Sequence, residues 1–215
     1  MAGLTAIKRA THRIDSLIED PRRGLPEDLF LFASRITPMV NVDLLIKNDQ
    51  AQTLLTWRED GYWNPGWHIP GGIIRYQESI AERIRAVAWT ELGAEVTFEA
   101  VPLAIKEIIN PFRRVRGHFI SFLYQCSLTD GPDNKQQYRS GEPLPNQWMW
   151  HGACPKNIIP VHEVYREFIE RPVSCRREAC PAVETPIQQW VVAGVGQKPA
   201  RIGSGSMKPE GDLRP

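Results

Sequence analysis

Residues 70–94 read P-G-G-I-I-R-Y-Q-E-S-I-A-E-R-I-R-A-V-A-W-T-E-L-G-A, and their punctuation decides the architecture. Two glycines follow a short apolar strand, then come a turn and one helix. Ser79 and Glu82 have the S-x-x-E spacing of a capping box, in which each satisfies a backbone N–H that the first helical turn leaves free, so the helix begins there. Gly93 supplies the C-terminal stop. Ile80, Ile84, Val87 and Ala88 fall at i, i+4, i+7 and i+8 and form one buried face. At about 100° per residue Glu91 returns to that same inward stripe. A carboxylate there also sits at the negative end of the helix dipole, which disfavours it by a few tenths to about 1 kcal/mol. A hard cation with oxygen ligands would compensate. The plainer alternative is a solvated glutamate at a helix end.

Outward from this segment, M-V-N-V-D-L-L-I at 39–46 predicts a buried strand, and residues 52–57 its partner across the turn Lys47-Asn48-Asp49, a hairpin that opens the domain. Further strands are expected at 95–109, at 118–128 and around 147–151. A last helix is expected at 160–170, with proline in its first turn and Val164, Phe168 and Ile169 facing the sheet. The fold class is α+β, with strands and helices mixed throughout. Before this domain, an amphipathic helix over about 5–19, with Ile7, Ile14, Leu17 and Ile18 near one face, and a short helix at 27–34 make an arm that packs on the domain or on a second subunit. Residues 1–24 are the arm, 25–171 the domain and 172–215 a tail rich in Pro, Gly, Ser and charge, expected to be largely disordered apart from local docking at Trp190-Val191-Val192.

The chain has 215 residues, enough for one ordinary core, and its 26 Lys and Arg nearly balance 25 Asp and Glu. No basic field would hold a nucleic-acid backbone, so nucleic acid is excluded as the main partner. No apolar run reaches the roughly 18 to 20 residues that span a bilayer, and the N-terminus has no secretory apolar core, so no membrane partner and a soluble, cytoplasmic protein are expected. Cys126, Cys154, Cys175 and Cys180 show no C-x-x-C spacing and read as reduced, structurally neutral thiols.

The segment at 70–94 resembles the Nudix box, G-x5-E-x7-R-E-U-x-E-E-x-G-U with U a bulky aliphatic residue. Gly72, Glu78, Glu91 and Gly93 match in register, whereas Ala86 stands at the box arginine, Val87 and Thr90 at two of its three metal-binding glutamates, and Ala94 at the final aliphatic position. The GDP-mannose mannosyl hydrolase branch lacks the same two glutamates. The chain is similar to that branch in P-E-D-L-F at 26–30, R-I-T-P-M-V-N-V-D-L-L-I-K-N at 35–48, L-L-T-W-R at 54–58, W-H-I-P-G-G at 67–72 and T-E-L-G at 90–93. The resemblance runs from about Leu25 to Ile169, and it is weaker beyond Gly93.

It implies a Nudix fold, a mixed sheet sandwiched between helices, in a homodimer that uses Mg²⁺ to hydrolyse a nucleotide sugar. Carried over by position, Arg58 contacts the diphosphate, Asp43 supports the site from its strand, the Gly71 carbonyl and the Glu91 carboxylate bind the metal. A single-metal site suits attack at the anomeric carbon, because the metal need only stabilise the departing diphosphate. The branch's histidine base has no counterpart here, where Asn146-Gln147-Trp148-Met149-Trp150 occupies that neighbourhood. Gln147 is then a candidate metal ligand, Glu142 a candidate ligand or base, and His118 and His151 candidates by intrinsic pKa, His118 also against substrate. Tyr62, Trp63 and Trp67 near the mouth are candidates to stack on a base or sugar. Without the box arginine, Glu78 is either solvated or paired with Arg75 or Arg83. Cleavage at phosphorus, and a nucleotide-binding module that has lost turnover, are the alternatives.

Overall fold

The computed structural model describes residues 2–171. The chain runs α1 (Ala2–Asp15), a 3-10 turn at Pro21–Arg23, α2 (Glu27–Ala33), β1 (Met39–Ile46), β2 (Thr53–Arg58), β3 (Gly66–His68), β4 (Gly71–Ile73), α3 (Ile80–Leu92), β5 (Val96–Phe98), β6 (Ala104–Ile109), β7 (His118–Leu128), a 3-10 turn at Asn134–Gln136, β8 (Trp148–His151), a 3-10 stretch at Pro160–Tyr165 and α4 (Arg166–Glu170). The expected mixed sheet between helices is found. One sheet has the order β4-β1-β7-β5, with β6 also on β7, and a second has the order β3-β2-β8. β1 lies parallel to β7 from Met39 opposite Phe119 to Ile46 opposite Cys126, while the other pairings are antiparallel.

β1 reads as a nearly continuous apolar run because both its faces are covered. Val42, Leu44 and Ile46 join Ile84, Val87, Ala88 and Leu92 of α3 in one core. On the opposite face Leu45 packs with Leu55, Trp57, Trp67, Ile69, Leu123, Tyr165, Phe168 and Ile169 in another. Asp43 shares that second face by strand alternation. α3 is capped as expected: the Ser79 side chain accepts from the Glu82 N–H, the Glu82 side chain accepts from Ser79, and Gly93 closes the helix at φ 60°.

Three expectations are corrected. β1 and β2 do not form a hairpin: they share only the bridge Lys47 to Thr53 and then part into different sheets, because each has a longer partner elsewhere, β7 and β8. The single strand expected at 95–109 is two. β5 and β6 pair with successive parts of β7, and the residues between Phe98 and Ala104 loop out around Pro102, which has no N–H to give a ladder. The helix expected at 160–170 is α-helical only over Arg166–Glu170; the six residues before it are 3-10, which matters for the site.

α1 is shifted toward the N-terminus relative to the expected 5–19, and Leu4, Ile7 and Leu17 stand exposed. Cys126 and Cys154 are free and buried, and burial pushes their thiols up to about 12 and about 11. Cys175, Cys180, Trp190-Val191-Val192 and the tail expected at 172–215 lie outside the described residues. Among the described residues no helix is long and apolar enough to cross a membrane.

Candidate functional site

The P-G-G turn draws three chain segments together. A side chain at Gly71 would collide with the Asp43 carboxylate, and one at Gly72 would meet Val87 and Arg83 of α3, so glycine lets β4 lie between an acid of β1 and the helix. From the far end of that helix, Glu91 reaches back to the same turn. Its Oε1 accepts from the Gly71 N–H at 3.1 Å and its Oε2 from the Thr56 hydroxyl of β2 at 2.8 Å. The inward orientation expected from helical spacing is therefore found, and the group facing Glu91 is the Gly71 amide.

Thr56 extends this contact. Its hydroxyl has one hydrogen, which it gives to Glu91, so the 2.9 Å contact with His68 Nε2 takes the imidazole N–H into the Thr56 oxygen. His68 Nε2 is itself 3.6 Å from Glu91. Among the described residues no lysine or arginine pairs with Glu91, and burial pushes its pKa up to about 7, the Thr56 and Gly71 hydrogen bonds opposing.

Asp43 is 1% exposed and well hydrogen-bonded. Oδ1 accepts from Asn41 Nδ2 at 2.9 Å; Oδ2 accepts from the Tyr165 hydroxyl at 2.7 Å and from the Ser121 hydroxyl. Burial raises its pKa to about 6 against these donors. Tyr165 and His162 are three residues apart, and the 3-10 geometry of Pro160–Tyr165 stacks i and i+3 on one side, so both face Asp43. His162 Nδ1 accepts from the Ile69 N–H at 3.0 Å, which leaves the proton of the neutral ring on Nε2, 3.9 Å from Asp43 Oδ1. Burial, then Arg58, holds His162 down to about 3, and burial, then His162 and Arg58, holds His68 well below the usual histidine range.

A cavity of about 140 Å³ opens over this group. Asn41, Asp43, His68, Gly71, Ser121 and His162 form its polar floor, and Arg58, Trp63 and Arg116 line it as well. Arg58 Nε donates to Asp60 Oδ2 at 2.7 Å, and Asp60 Oδ1 accepts from the Tyr62 N–H, so the loop after β2 is folded around this ion pair.

Of the residues singled out from the sequence, Asp43, Arg58, Gly71 and Glu91 are brought together, and Trp63 lines the same cavity. Trp67, His118, Glu142, Gln147 and His151 are not among them. Trp67 is packed edge-on against Trp57, Tyr138 and His151 in the core, because β3 turns it inward. His118 pairs with Glu107 across β6 and β7 at 3.2 Å. Glu142 is exposed on the loop before β8. Gln147 is occupied by its own loop, its side-chain oxygen accepting from the Leu144 N–H at 2.9 Å and its carbonyl from the Trp57 N–H. His151 is buried beside Trp67. Glu78 is paired with Arg83, and it also accepts from the Arg75 N–H. The cavity residues that sequence reasoning passed over are Asn41, His68, Arg116, Ser121 and His162, and behind them Tyr165, which supports Asp43 from the core. Asn41 was legible by alternation with Asp43; His162 and Tyr165 were hidden by reading a 3.6-residue period where the turn has 3.

The donor chemistry suits a hard divalent cation. Two carboxylates, both disfavoured as anions by burial and Glu91 further by the charge of Asp43, converge on the Gly71 backbone. Among the described residues no group of three or more His, Cys, Asp or Glu forms a complete cage. A hard divalent ion takes one or two carboxylates and completes its shell with waters and substrate phosphate.

A model of the NUDIX domain matches residues 37–171. The low-salt glycan biosynthesis protein Agl8 of Haloferax volcanii is 32% identical over 116 residues, 52% of this chain and 73% of that protein. Among solved structures, a UDP-X diphosphatase is 23% identical with a TM-score of 0.45, over 62% of this chain and 60% of that one. A MutT protein from Methanosarcina mazei Go1 is 18% identical with a TM-score of 0.47, over 63% and 95%. The chain thus spans less than two thirds of the length of the diphosphatase.

Proposed function

The chain belongs to the NUDIX family, and on that premise we propose that it hydrolyses a nucleoside diphosphate sugar of the GDP-mannose kind with Mg²⁺, releasing free sugar and nucleoside diphosphate. The observation that carries this reading is the meeting of Asp43, Glu91 and the Gly71 backbone beside a cavity that Arg58 lines. Glu91 and the Gly71 carbonyl would hold the ion, whose chemistry is to take up negative charge on a departing diphosphate.

The protein's own residues supply the rest. Arg58 binds phosphate oxygens through the guanidinium N–H groups that Asp60 leaves free. Asp43, ionised above about pH 6, takes a proton from the water that attacks the anomeric carbon, while Ser121, Tyr165 and Asn41 keep its oxygens oriented. The new bond joins the water oxygen to that carbon, and the electron pair of the broken carbon–oxygen bond leaves with the diphosphate. Val87 and Thr90 add no carboxylate to the helix, which suits one ion on a leaving group better than several ions around an attacked phosphorus. A relative named for glycan biosynthesis supports a sugar-bearing substrate. Glu142, Gln147, His118 and Trp67 take no part in this reading.

Hydrolysis of a nucleotide-sugar panel in ¹⁸O water, with Glu91→Gln as the blank, tests it. Label in the free sugar is expected; label in a phosphate product would replace the reading with cleavage at phosphorus. A nucleotide-binding module without turnover is favoured by one observation: both cavity histidines have a ring nitrogen committed within the protein, His68 to Thr56 and His162 to the Ile69 N–H. Tight nucleotide binding with no product sensitive to Glu91→Gln would establish it.

We read residues 1–24 as an arm and 25–171 as the hydrolase domain of a homodimer. The exposed Leu4, Ile7 and Leu17 support an arm that packs on a second copy, and sedimentation at twice the chain mass is the expected result.

A further inference from the structure

The cavity holds a second arginine whose circumstances differ from those of Arg58. Arg58 is already matched by a carboxylate, Asp60. Arg116, which lines the same cavity from the loop before β7, has no carboxylate within ion-pair distance among the described residues. It is half-buried, and its Nε is buried without a hydrogen-bond partner among the described residues.

That arginine is nevertheless held firmly. Its guanidinium stacks 4.1 Å over the Tyr62 ring and 5.7 Å from that of Phe30 on α2. Its backbone N–H donates to Ser34 Oγ at 3.0 Å. Tyr62 in turn is fixed at both ends, its hydroxyl donating to Glu27 Oε1 at 2.9 Å and its carbonyl accepting from Arg113 Nη1, while Arg113 stacks 4.3 Å over Trp63. Arg116 itself sits at φ 52°, a left-handed conformation that a long side chain rarely adopts, so the surrounding contacts override a local preference to keep it there. A cation placed at such conformational cost beside a like charge, sharing with Arg58 an Asp60 that lies beyond its own ion-pair distance, matches an anion brought from outside.

We propose that Arg116 is a second phosphate-binding residue of the cavity, stacked into place by Tyr62 and Phe30, and that with Arg58 it selects a diphosphate group over a single phosphate. Two guanidinium groups on one small cavity offer their remaining N–H groups to two adjacent phosphates, whereas an orthophosphate needs only one. The cation–π stack fixes the plane of the fork and leaves its edge to the ligand. This deepens the nucleotide-sugar reading and rests on it for the identity of the substrate, but the anion preference is measurable without turnover.

The test uses the full chain with inorganic pyrophosphate and orthophosphate as probes in titration calorimetry, together with the nucleotide-sugar turnover panel. Wild-type protein is expected to bind pyrophosphate about ten-fold or more tightly than orthophosphate. Arg116→Met should abolish that preference, and Arg116→Lys, which keeps the charge and loses the fork, should retain part of it. A purely structural role would weaken both anions alike and leave their ratio unchanged, which overturns the proposal, as does a wild-type protein that binds neither anion at millimolar concentration. Should Arg116→Met unfold, the ratio in Arg116→Lys decides. If the Arg116-dependent preference is found but no nucleotide sugar is hydrolysed, the anion site stands and the substrate reading fails.

Discussion

The two ends of α3 each carry a glutamate whose side chain is 16% exposed, and the two have opposite fates. Glu78, just ahead of the helix, is gripped by a bidentate pair from Arg83 at 2.8 and 2.7 Å and accepts from the Arg75 N–H, all within nine residues of chain. Glu91, at the last turn, receives only a hydroxyl and an amide from distant strands and stands at the negative end of the helix dipole. Burial alone therefore does not identify a functional acid. What matters is whether the protein has already supplied the counter-charge: Glu78 braces the turn, whereas Glu91 is left with capacity for a cation.

The comparison breaks most visibly at Glu91. Glu91→Gln removes a charge but no volume, so the chain should fold cooperatively while turnover falls on the order of a thousand-fold. A loss of folding with activity per folded molecule retained would make Glu91 a structural acid like Glu78. The converse variant, Glu78→Ala, strands the buried Arg83 and should lower stability by about 3 kcal/mol in urea denaturation, with turnover per folded molecule changed far less.

Away from the cavity, His151 has its Nε2 buried without a hydrogen-bond partner among the described residues, and burial lowers its pKa to about 4. The unfolded chain then binds more protons between pH 6.5 and 4, so stability is lost as pH falls through that window. His151→Phe should reduce the loss between pH 7.5 and 5 by about 2 kcal/mol, read as the shift in urea midpoint at each pH. An unchanged pH dependence would show that this histidine is solvated.

The smallest effect sharpens the account of how Glu91 is held. Thr56→Val deletes the hydroxyl shared by Glu91 and His68 and should raise the Mg²⁺ concentration for half-maximal activity several-fold, at a stability cost of about 1 kcal/mol. An unaltered magnesium requirement would leave Thr56 as packing only.

The sequence by itself determined the parts that depend on neighbours along the chain. Cap spacing placed α3 to the residue, helical periodicity turned Glu91 inward, and apolar runs marked β1, β7 and β8, because these signals are set by backbone geometry over a few residues. Only the tertiary structure decided which strands pair, since β1 and β2 are adjacent in sequence but find longer partners in β7 and β8. It also decided what surrounds each acid. Asp43 meets Ser121 and Tyr165 from positions 78 and 122 residues away, and hydrogen bonds of that range leave no periodic trace in the chain. A titratable side chain acquires its charge state from the groups that the whole fold packs around it, and those are fixed only when the layers close.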